Sequence, residues 1–426
     1  MKNFFKIILI LIFIIPNVSQ AGTLFESLQS AYLNNSKLNA ERANMRASRE
    51  EKREAISEFL PSVTISGYRK SQDNIKGNEA STRIKPKEQS ILVEQKIFQG
   101  FGGVANLQKK RKGQQLGEFK LKKVEQEILL DAAKAHTELL LNKKKVNINL
   151  INVDLLERQV ETDQNRLEKG EISLTDLAQS ESSLAGAQAQ FTQASNDLLI
   201  SKLNYENIIG NSPNPNKLKK SSKAIVSIPN SLNSAIELSK KNNPDIKIAE
   251  LDLVQSEKDL AISESDLKPT ASLSLERSYV DDLSSTYDQR EKDTLKATIS
   301  WPFYSGGKKR STISKNSNLT YRKRLLLEDA IKTNDTMVAS AWSSLESSKS
   351  FLNSVIAQVR AAKIANEGIS AEYERGSRTT LDVIQSNSLL LTAQISLANS
   401  ERNYLMAQYN LLKSVGLLSS DYLKLK

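Results

Sequence analysis

Two related short stretches, each lying between long helical runs, constrain the fold of this chain more than any other feature. Residues 167–179 are LEKGEISLTDLAQ, and residues 373–385, 206 positions later, are YERGSRTTLDVIQ. A glycine accepts the left-handed conformation that ends a helix, and a following Ser, Thr or Asp caps the next helix. The matching turn residues are Gly170 and Asp176 in the first stretch and Gly376 and Asp382 in the second. The chain is therefore predicted to contain two long helical hairpins related by duplication.

A seven-residue repeat runs through the long helical segment that precedes each turn. Its positions are Ala132, Leu139, Val146, Val153, Val160 and Leu167 in the first copy, and Val338, Leu345, Leu352, Val359, Asn366 and Tyr373 in the second. A strict repeat of seven over this length is typical of helices paired as in a coiled coil. We expect helices over residues 101–168, 174–209 and 380–415. Since only 39% of residues are hydrophobic, burial is expected from helix pairing and contacts between copies.

Four segments change from a helical period to the alternation of a β-strand. Val63 and Ile65 alternate with polar residues, residues 90–98 form the partner segment, and residues 271–276 and 295–301 repeat the pattern. Segments that are apolar on one side and polar on the other are typical of membrane barrel strands, although a half-buried hairpin of a soluble protein is the alternative. Four strands cannot close a barrel in lipid, so a membrane role requires a homo-oligomer. The predicted fold class is mainly α with β, with duplicated long α-helical hairpins plus four strands.

The order of these segments divides the chain into two repeats. A positively charged, apolar start indicates a signal peptide at 1–21, and no later stretch is apolar enough for a spanning helix. We expect the repeats at 22–210 and 231–416, a linker at 211–230 and a short polar tail at 417–426. Glycine turns follow each strand pair, at Gly100, Gly306 and Gly307, and the segment 23–58 is expected to be helical. The polar segment 73–86 between the first two strands is expected to be a loop.

No residue pattern in the sequence favours an enzyme. The chain has no cysteine and one histidine, His136, which we expect on a helix surface, so no catalytic, metal or cofactor site is predicted. The chain has a net charge of +11 and several lysine-rich patches, a pattern that can indicate nucleic-acid binding. Acidic residues nearly balance the basic ones, 49 against 60, and export separates the chain from most nucleic acid, so no nucleic-acid binding is expected.

The chain begins with a signal peptide, followed by a helix, a strand pair and a long hairpin, and these last three recur after a linker. This order resembles the TolC family of outer-membrane channel proteins. The resemblance covers essentially the whole mature chain. It implies a homotrimer whose twelve strands form an outer-membrane barrel, continued by a helical tunnel across the periplasm. The implied function is an exit duct for efflux or type I secretion, working with a periplasmic adaptor and an inner-membrane transporter and surrounded by outer-membrane lipid. The alternative is a soluble periplasmic coiled-coil scaffold.

The resemblance also implies an entrance gate at the hairpin tips. Its most specific part lies at Tyr373, Gly376, Arg378, Thr379 and Asp382. By the resemblance, Asp176 is the expected partner of Tyr373 or Arg378.

Asp382 is the expected carboxylate of a ring around the pore, where three copies would concentrate negative potential. The chain has Gln385 where the family pattern has a second acidic ring, which weakens the case for a doubled acidic constriction. The alternative role for Asp176 and Asp382 is to cap their helices.

Overall fold

The architecture is a four-stranded sheet continued by two long helical hairpins. The computed structural model describes residues 22–74, 82–215, 217–221, 224, 227–282 and 289–425, so the expected signal peptide lies outside the described residues. The elements of the first half are α1 (Leu24–Asn34), α2 (Ser36–Ser57), β1 (Ser62–Arg69), β2 (Gln72–Asn74), β3 (Thr82–Ile84), β4 (Lys87–Gln99), α3 (Gly102–Glu168) and α4 (Leu174–Ile209). Those of the second are α5 (Leu232–Asn242), α6 (Pro244–Ser265), β5 (Thr270–Asp281), β6 (Gln289–Ser300), α7 (Lys308–Glu374), α8 (Thr380–Val415) and α9 (Ser420–Leu423).

The long helices repeat in length as well as in order. Helices α3 and α7 each have 67 residues, about 100 Å of helix, and α4 and α8 each have 36. All the repeating seventh positions are buried or half-buried, which confirms the predicted pairing of α3 with α4 and of α7 with α8.

The expected helix over 23–58 is two helices, because Asn35 ends α1 and caps α2. Its side chain accepts hydrogen bonds from the amides of Lys37 and Leu38, at 3.0 and 3.2 Å, while its own backbone is extended. Asn243 makes the same break between α5 and α6 in the second half.

The sheet is antiparallel in the order β1-β4-β5-β6, which leaves β1 and β6 as its two edges. Its register places a row of apolar side chains on one face and a row of polar ones on the other. The apolar row is Val63, Val93, Leu275 and Leu295, and the neighbouring polar row is Ser62, Glu94, Ser274 and Lys296. The predicted alternation is confirmed. The expectation of a loop over residues 73–86 is wrong in part, because β2 and β3 pair there as a short antiparallel ribbon.

A hydrophobic core lies about halfway along α3, where α1, α4, α8 and the C-terminal segment meet. We call it the equatorial core; its fully buried residues include Leu28, Leu38, Leu129, Ala132, Leu139, Ile209, Tyr409 and Leu412. The tail, expected to be polar, adds Leu418, Leu423 and Leu425 to this core. Within the described residues, none of the helices has the apolar length needed to cross a bilayer.

The expectation that His136 lies on a helix surface is wrong. The imidazole is buried, its Nδ1 lies 2.8 Å from the Ser27 hydroxyl, and its Nε2 donates to the Lys219 carbonyl at 3.3 Å. The Ser27 hydroxyl in turn lies 2.8 Å from that of Tyr205. His136 lies four positions after Ala132 on α3, and its hydrogen-bond partners belong to α1 and the linker. The seven-residue repeat concerns contacts between the long helices, so it does not predict this burial.

Candidate functional site at the hairpin tips

Each hairpin tip ends its first helix on a glycine in the left-handed conformation. Gly170 has φ 75° and Gly376 has φ 78°, and each amide donates to the carbonyl three residues earlier, at 2.9 Å. Nothing lies within 4 Å of a Cβ built at either residue, so backbone conformation rather than space favours glycine there.

The three glycines predicted at the strand-to-helix turns, Gly100, Gly306 and Gly307, also have positive φ. Space matters at Gly100, where a Cβ would lie 2.6 Å from the Ser265 carbonyl oxygen.

Both predicted aspartates of the tips cap their own helices. Asp176 accepts hydrogen bonds from the Ser173 amide and hydroxyl at 3.0 and 2.7 Å, and the Ser173 hydroxyl accepts from the Asp176 amide. Asp382 makes the same box with Thr379 at 3.0 and 2.9 Å. The Ser173 hydroxyl and then its amide lower the pKa of Asp176, and the Thr379 amide and hydroxyl lower that of Asp382. Both therefore stay ionised over a wider pH range than a free carboxyl group.

A buried carboxylate, Asp163 of α3, joins the two hairpins. Its Oδ1 accepts from the Tyr373 hydroxyl of α7 at 2.5 Å and from the Gln159 side-chain amide at 3.0 Å. Its Oδ2 accepts from the Ser180 hydroxyl of α4 at 2.5 Å. Asp163 is fully buried, and the Tyr373 hydroxyl also lies 3.3 Å from that of Thr380 at the start of α8. We call Asp163, Tyr373, Ser180, Gln159 and Thr380 the tip latch.

One cationic side chain, Arg166, covers the ring of the latch residue Tyr373. The Arg166 guanidinium stacks over the Tyr373 ring, 4.7 Å from its centroid, and binds Glu171 at 3.1 Å between Nε and Oε2. Arg378 binds Glu372 of its own turn at 2.7 Å. The latch is thus shielded by an arginine of the first hairpin, whereas Arg378 stays near the solvent.

Of the predicted gate residues, the structure brings Tyr373 alone into a contact between the hairpins. Within the chain, Asp176 accepts from neither Tyr373 nor Arg378, because the cap at Ser173 occupies its carboxylate and Asp163 and Glu372 take those partners. The expected pairing of Asp176 is not made within one chain, and as a bond between two chains it stays a prediction. Gln385 is exposed on α8.

The residue missed from the sequence is Asp163, although a signal for it exists. It lies three positions after Val160, at the companion site of the seven-residue repeat, where the second copy has Ile369. A charged residue at a site that pairs helices is buried, and a buried carboxylate needs hydrogen-bond donors. Its main donor, Tyr373, is 210 positions away, so only the repeat could have pointed to it.

This arrangement joins the two hairpins of the chain through hydrogen bonds to a buried carboxylate. Removing Tyr373's hydroxyl from a buried carboxylate costs about 1–3 kcal/mol, unless water replaces it. Over the residues described here, no group of three His, Asp or Glu side chains is placed to hold a metal ion. The tip therefore resembles a polar latch that water could open as the hairpins separate.

Comparison with known proteins decides the family. The sequence model described as "Outer membrane efflux protein" matches residues 27–211 and again residues 235–417. This chain belongs to the outer membrane efflux protein family. Two matched segments, one for each half, agree with the repeated order of elements in the structure.

Relatives of this outer membrane efflux protein extend over nearly the whole chain. Outer membrane efflux protein BepC of Brucella suis biovar 1 (strain 1330) is 27% identical over 409 residues, which cover 95% of this chain and 87% of BepC. Outer membrane protein TolC of Escherichia coli (strain K12) is 24% identical over 441 residues, covering 95% and 84%.

Solved structures show the same fold at low identity. CusC, described as forming a transmembrane channel, superposes with a TM-score of 0.80 at 14% identity, covering 92% of each chain. The CmeC outer membrane channel of Campylobacter jejuni has a TM-score of 0.81 at 13% identity, covering 92% of this chain and 85% of CmeC. The predicted mainly helical fold with a small sheet is thereby confirmed.

Proposed function

We propose that three copies of this chain form the outer-membrane exit duct of an efflux or type I secretion system. The strongest support is the four-stranded sheet of this chain, which is open, apolar on one face and continuous with helices of about 100 Å. Cargo moves passively through the duct, without chemistry. The driving energy comes from an inner-membrane transporter and a periplasmic adaptor.

The sheet supports the trimer because, among the residues that the structure describes, neither of its edges is paired. Strands β1 and β6 each have one free edge, and Ile65, Leu295 and Ile299 expose most of their side chains. An open edge in lipid leaves backbone groups without partners, and the smallest membrane barrels have about eight strands. Three chains supply twelve strands, with β6 of one copy beside β1 of the next. A soluble scaffold is not favoured, since it would leave this apolar face in water.

The outer helices also have apolar faces that no other described segment of the chain covers. Helix α7 exposes Met337, Phe351 and Ile364, and helix α4 exposes Leu199 and Leu203. These two helices lie on opposite sides of the pair formed by α3 and α8. A ring of three chains would place the exposed side of α7 beside the next copy and bury much of this surface. The matched lengths of α3 and α7 and of α4 and α8 support treating residues 22–210 and 231–416 as two repeats joined by the linker 211–230.

The hairpin tips would then form the periplasmic entrance of the duct. The tip latch joins the two hairpins of one chain, so separating them requires breaking the bond between Tyr373 and Asp163. Arg378 lies on the exposed side, within reach of a neighbouring copy, and three copies of Asp382 near the axis would attract cations. Docking of the adaptor and transporter would supply the free energy that opens the tips.

Single-channel conductance in planar bilayers tests this proposal. Tyr373→Phe removes the hydroxyl of the latch and keeps the ring, so we expect a higher mean conductance than the wild type has. Tyr321→Phe, an exposed tyrosine on the same helix, is the matched control and should leave conductance unchanged. Equal conductance in all three proteins would contradict the role of the latch. If neither the wild type nor Tyr373→Phe forms channels, the proposed duct is contradicted.

A further inference from the structure

The segment between β6 and α7 exposes three aromatic side chains, and after three intervening residues α7 begins with three basic ones. The exposed fractions are 63% for Trp301, 88% for Phe303 and 85% for Tyr304. The rings of Trp301 and Phe303 meet edge to face at 6.1 Å, and the Trp301 indole donates to the Leu267 carbonyl at 3.0 Å. We define the basic-aromatic patch as Trp301, Phe303, Tyr304, Lys308, Lys309 and Arg310. Such large aromatic side chains, side by side on a surface, indicate an interaction site.

The basic side chains of this patch form no ion pair with another described residue of the chain. Lys308, Lys309 and Arg310 form the first turn of α7, where the helix dipole already places positive charge. That turn has no acidic residue, and its N-cap, Gly307, makes no side-chain cap. Lys309 donates to the Asp266 carbonyl, but none of the three has an ion pair within the described part of the chain. The first turn of α7 therefore favours an anion supplied from outside the chain.

The equivalent turn of the first half lacks these features. Helix α3 begins at Gly102 with no charged residue in its first turn, and its N-cap is Phe101, also without a side-chain cap. Lys268 of the second half lies over the Phe101 ring, 5.2 Å from its centroid. A bare helix start is thus common to both halves, whereas the exposed aromatic run with three cations belongs to the second alone.

Resting on the proposed function, we infer that the basic-aromatic patch binds anionic phospholipid headgroups of the periplasmic leaflet of the outer membrane. The patch lies where the apolar strands end and the helices begin, which in the proposed duct is the periplasmic membrane surface. Tyr and Trp favour this level because their rings are apolar at one end and polar at the other. Basic side chains beside them attract anionic headgroups.

The charge of the patch favours lipid over a neighbouring copy of the chain. Because β6 is an edge strand, the next copy would bring its segment 57–62, between α2 and β1, to the same level. That segment has one carboxylate, Glu58, which already accepts from the Asn106 amide at 3.0 Å. One engaged carboxylate cannot balance three cations, whereas a leaflet containing anionic lipid can.

Native mass spectrometry of the purified full-length protein, titrated with phosphatidylglycerol or phosphatidylcholine, tests the inference. We expect the wild type to prefer phosphatidylglycerol. The triple variant K308Q/K309Q/R310Q should lower that preference at least about tenfold, since each basic residue near an anionic surface contributes about a fivefold factor. The variant F303A/Y304A should weaken binding of both lipids and leave their ratio unchanged.

The matched control is K332Q/K349Q/R360Q, which removes three exposed charges from the same helix, far from the sheet. It should keep the lipid preference. An unchanged preference in K308Q/K309Q/R310Q, or an equal loss in the control, would overturn the inference. The inference would also be overturned if K308Q/K309Q/R310Q lost the oligomer but bound as much lipid per chain as the wild type. The patch would then contact a neighbouring copy and not lipid. A wild type extracted by urea without detergent would instead reject the proposed function.

Discussion

The equatorial core and the hairpin tips are built on the same long helices, yet they bury different chemistry. The core buries aliphatic side chains such as Leu129 and Leu139, while the tips bury a carboxylate, Asp163, and a phenol, Tyr373. When helices separate, the free energy gained by burying apolar side chains is lost, whereas water can replace the hydrogen bonds of a polar contact. The difference indicates that separating the helices costs more at the equator than at the tips, as the proposed entrance requires.

The largest expected effect comes from the equatorial core. Leu139→Ala leaves a cavity at a fully buried site and should lower the free energy of unfolding by about 2–5 kcal/mol. Leu174→Ala at the tip, where the side chain is 70% exposed, should change it by less than about 0.5 kcal/mol. Denaturant unfolding of both variants measures the difference. Equal losses would contradict the contrast between the two regions.

A pH-dependent effect on stability is expected at the equator, where His136 is buried. Burial, which outweighs the bond to the Lys219 carbonyl, lowers the pKa of His136 from 6.5 to about 4. Between these values the unfolded chain binds the proton and the folded chain does not, so stability falls as pH falls from 6.5 to about 4. The full loss is about 3 kcal/mol.

Comparing the wild type with His136→Gln isolates this contribution from that of the carboxylates. The variant should lose stability less steeply over the same pH window in thermal or denaturant unfolding. The same slope in both proteins would show that His136 is not held neutral by burial.

At the tips, Asp163→Asn should change opening more than stability. The amide of Asn would face the hydroxyl donors of Tyr373 and Ser180, so the latch loses an acceptor and we expect a cost of about 1–2 kcal/mol. Conductance in planar bilayers should rise, as for Tyr373→Phe. The double variant should add little to either single one, because both remove the same bond. Additive increases would indicate two independent contacts.

The smallest effect is expected at the cap of α8. Thr379→Ala removes the hydroxyl that accepts from the Asp382 amide and donates to its carboxylate, a loss of about 1 kcal/mol. Hydrogen exchange should become faster at the first amides of α8 and stay unchanged in the equatorial core. Thr336→Ala, an exposed threonine inside α7, is the control and should leave the tip unchanged. Faster exchange throughout the chain would mean that the tip and the core unfold together.

Local chemistry explains what could be predicted from the sequence. The ends of α4 and α8 at Leu174, Ile209, Thr380 and Val415 agree with prediction, because caps and glycines determine them within a few residues. The strands agree because alternation is a local pattern.

The failures concern contacts between distant parts of the chain. The burial of His136 depends on Ser27, Tyr205 and the linker, and the role of Asp163 depends on a tyrosine in the other repeat. The break at Asn35 was local, yet it was missed because the helical pattern continues on both sides of a single capping residue.

The mass of the detergent-extracted protein tests the central claim most directly. In the proposed duct, neighbouring copies cover the open edges of the sheet and the exposed apolar faces of α4 and α7. Native mass spectrometry of outer-membrane extracts should therefore give three chains in one complex, released only by detergent. A single chain, extracted from membranes by salt alone, would contradict the shared barrel and the duct that depends on it.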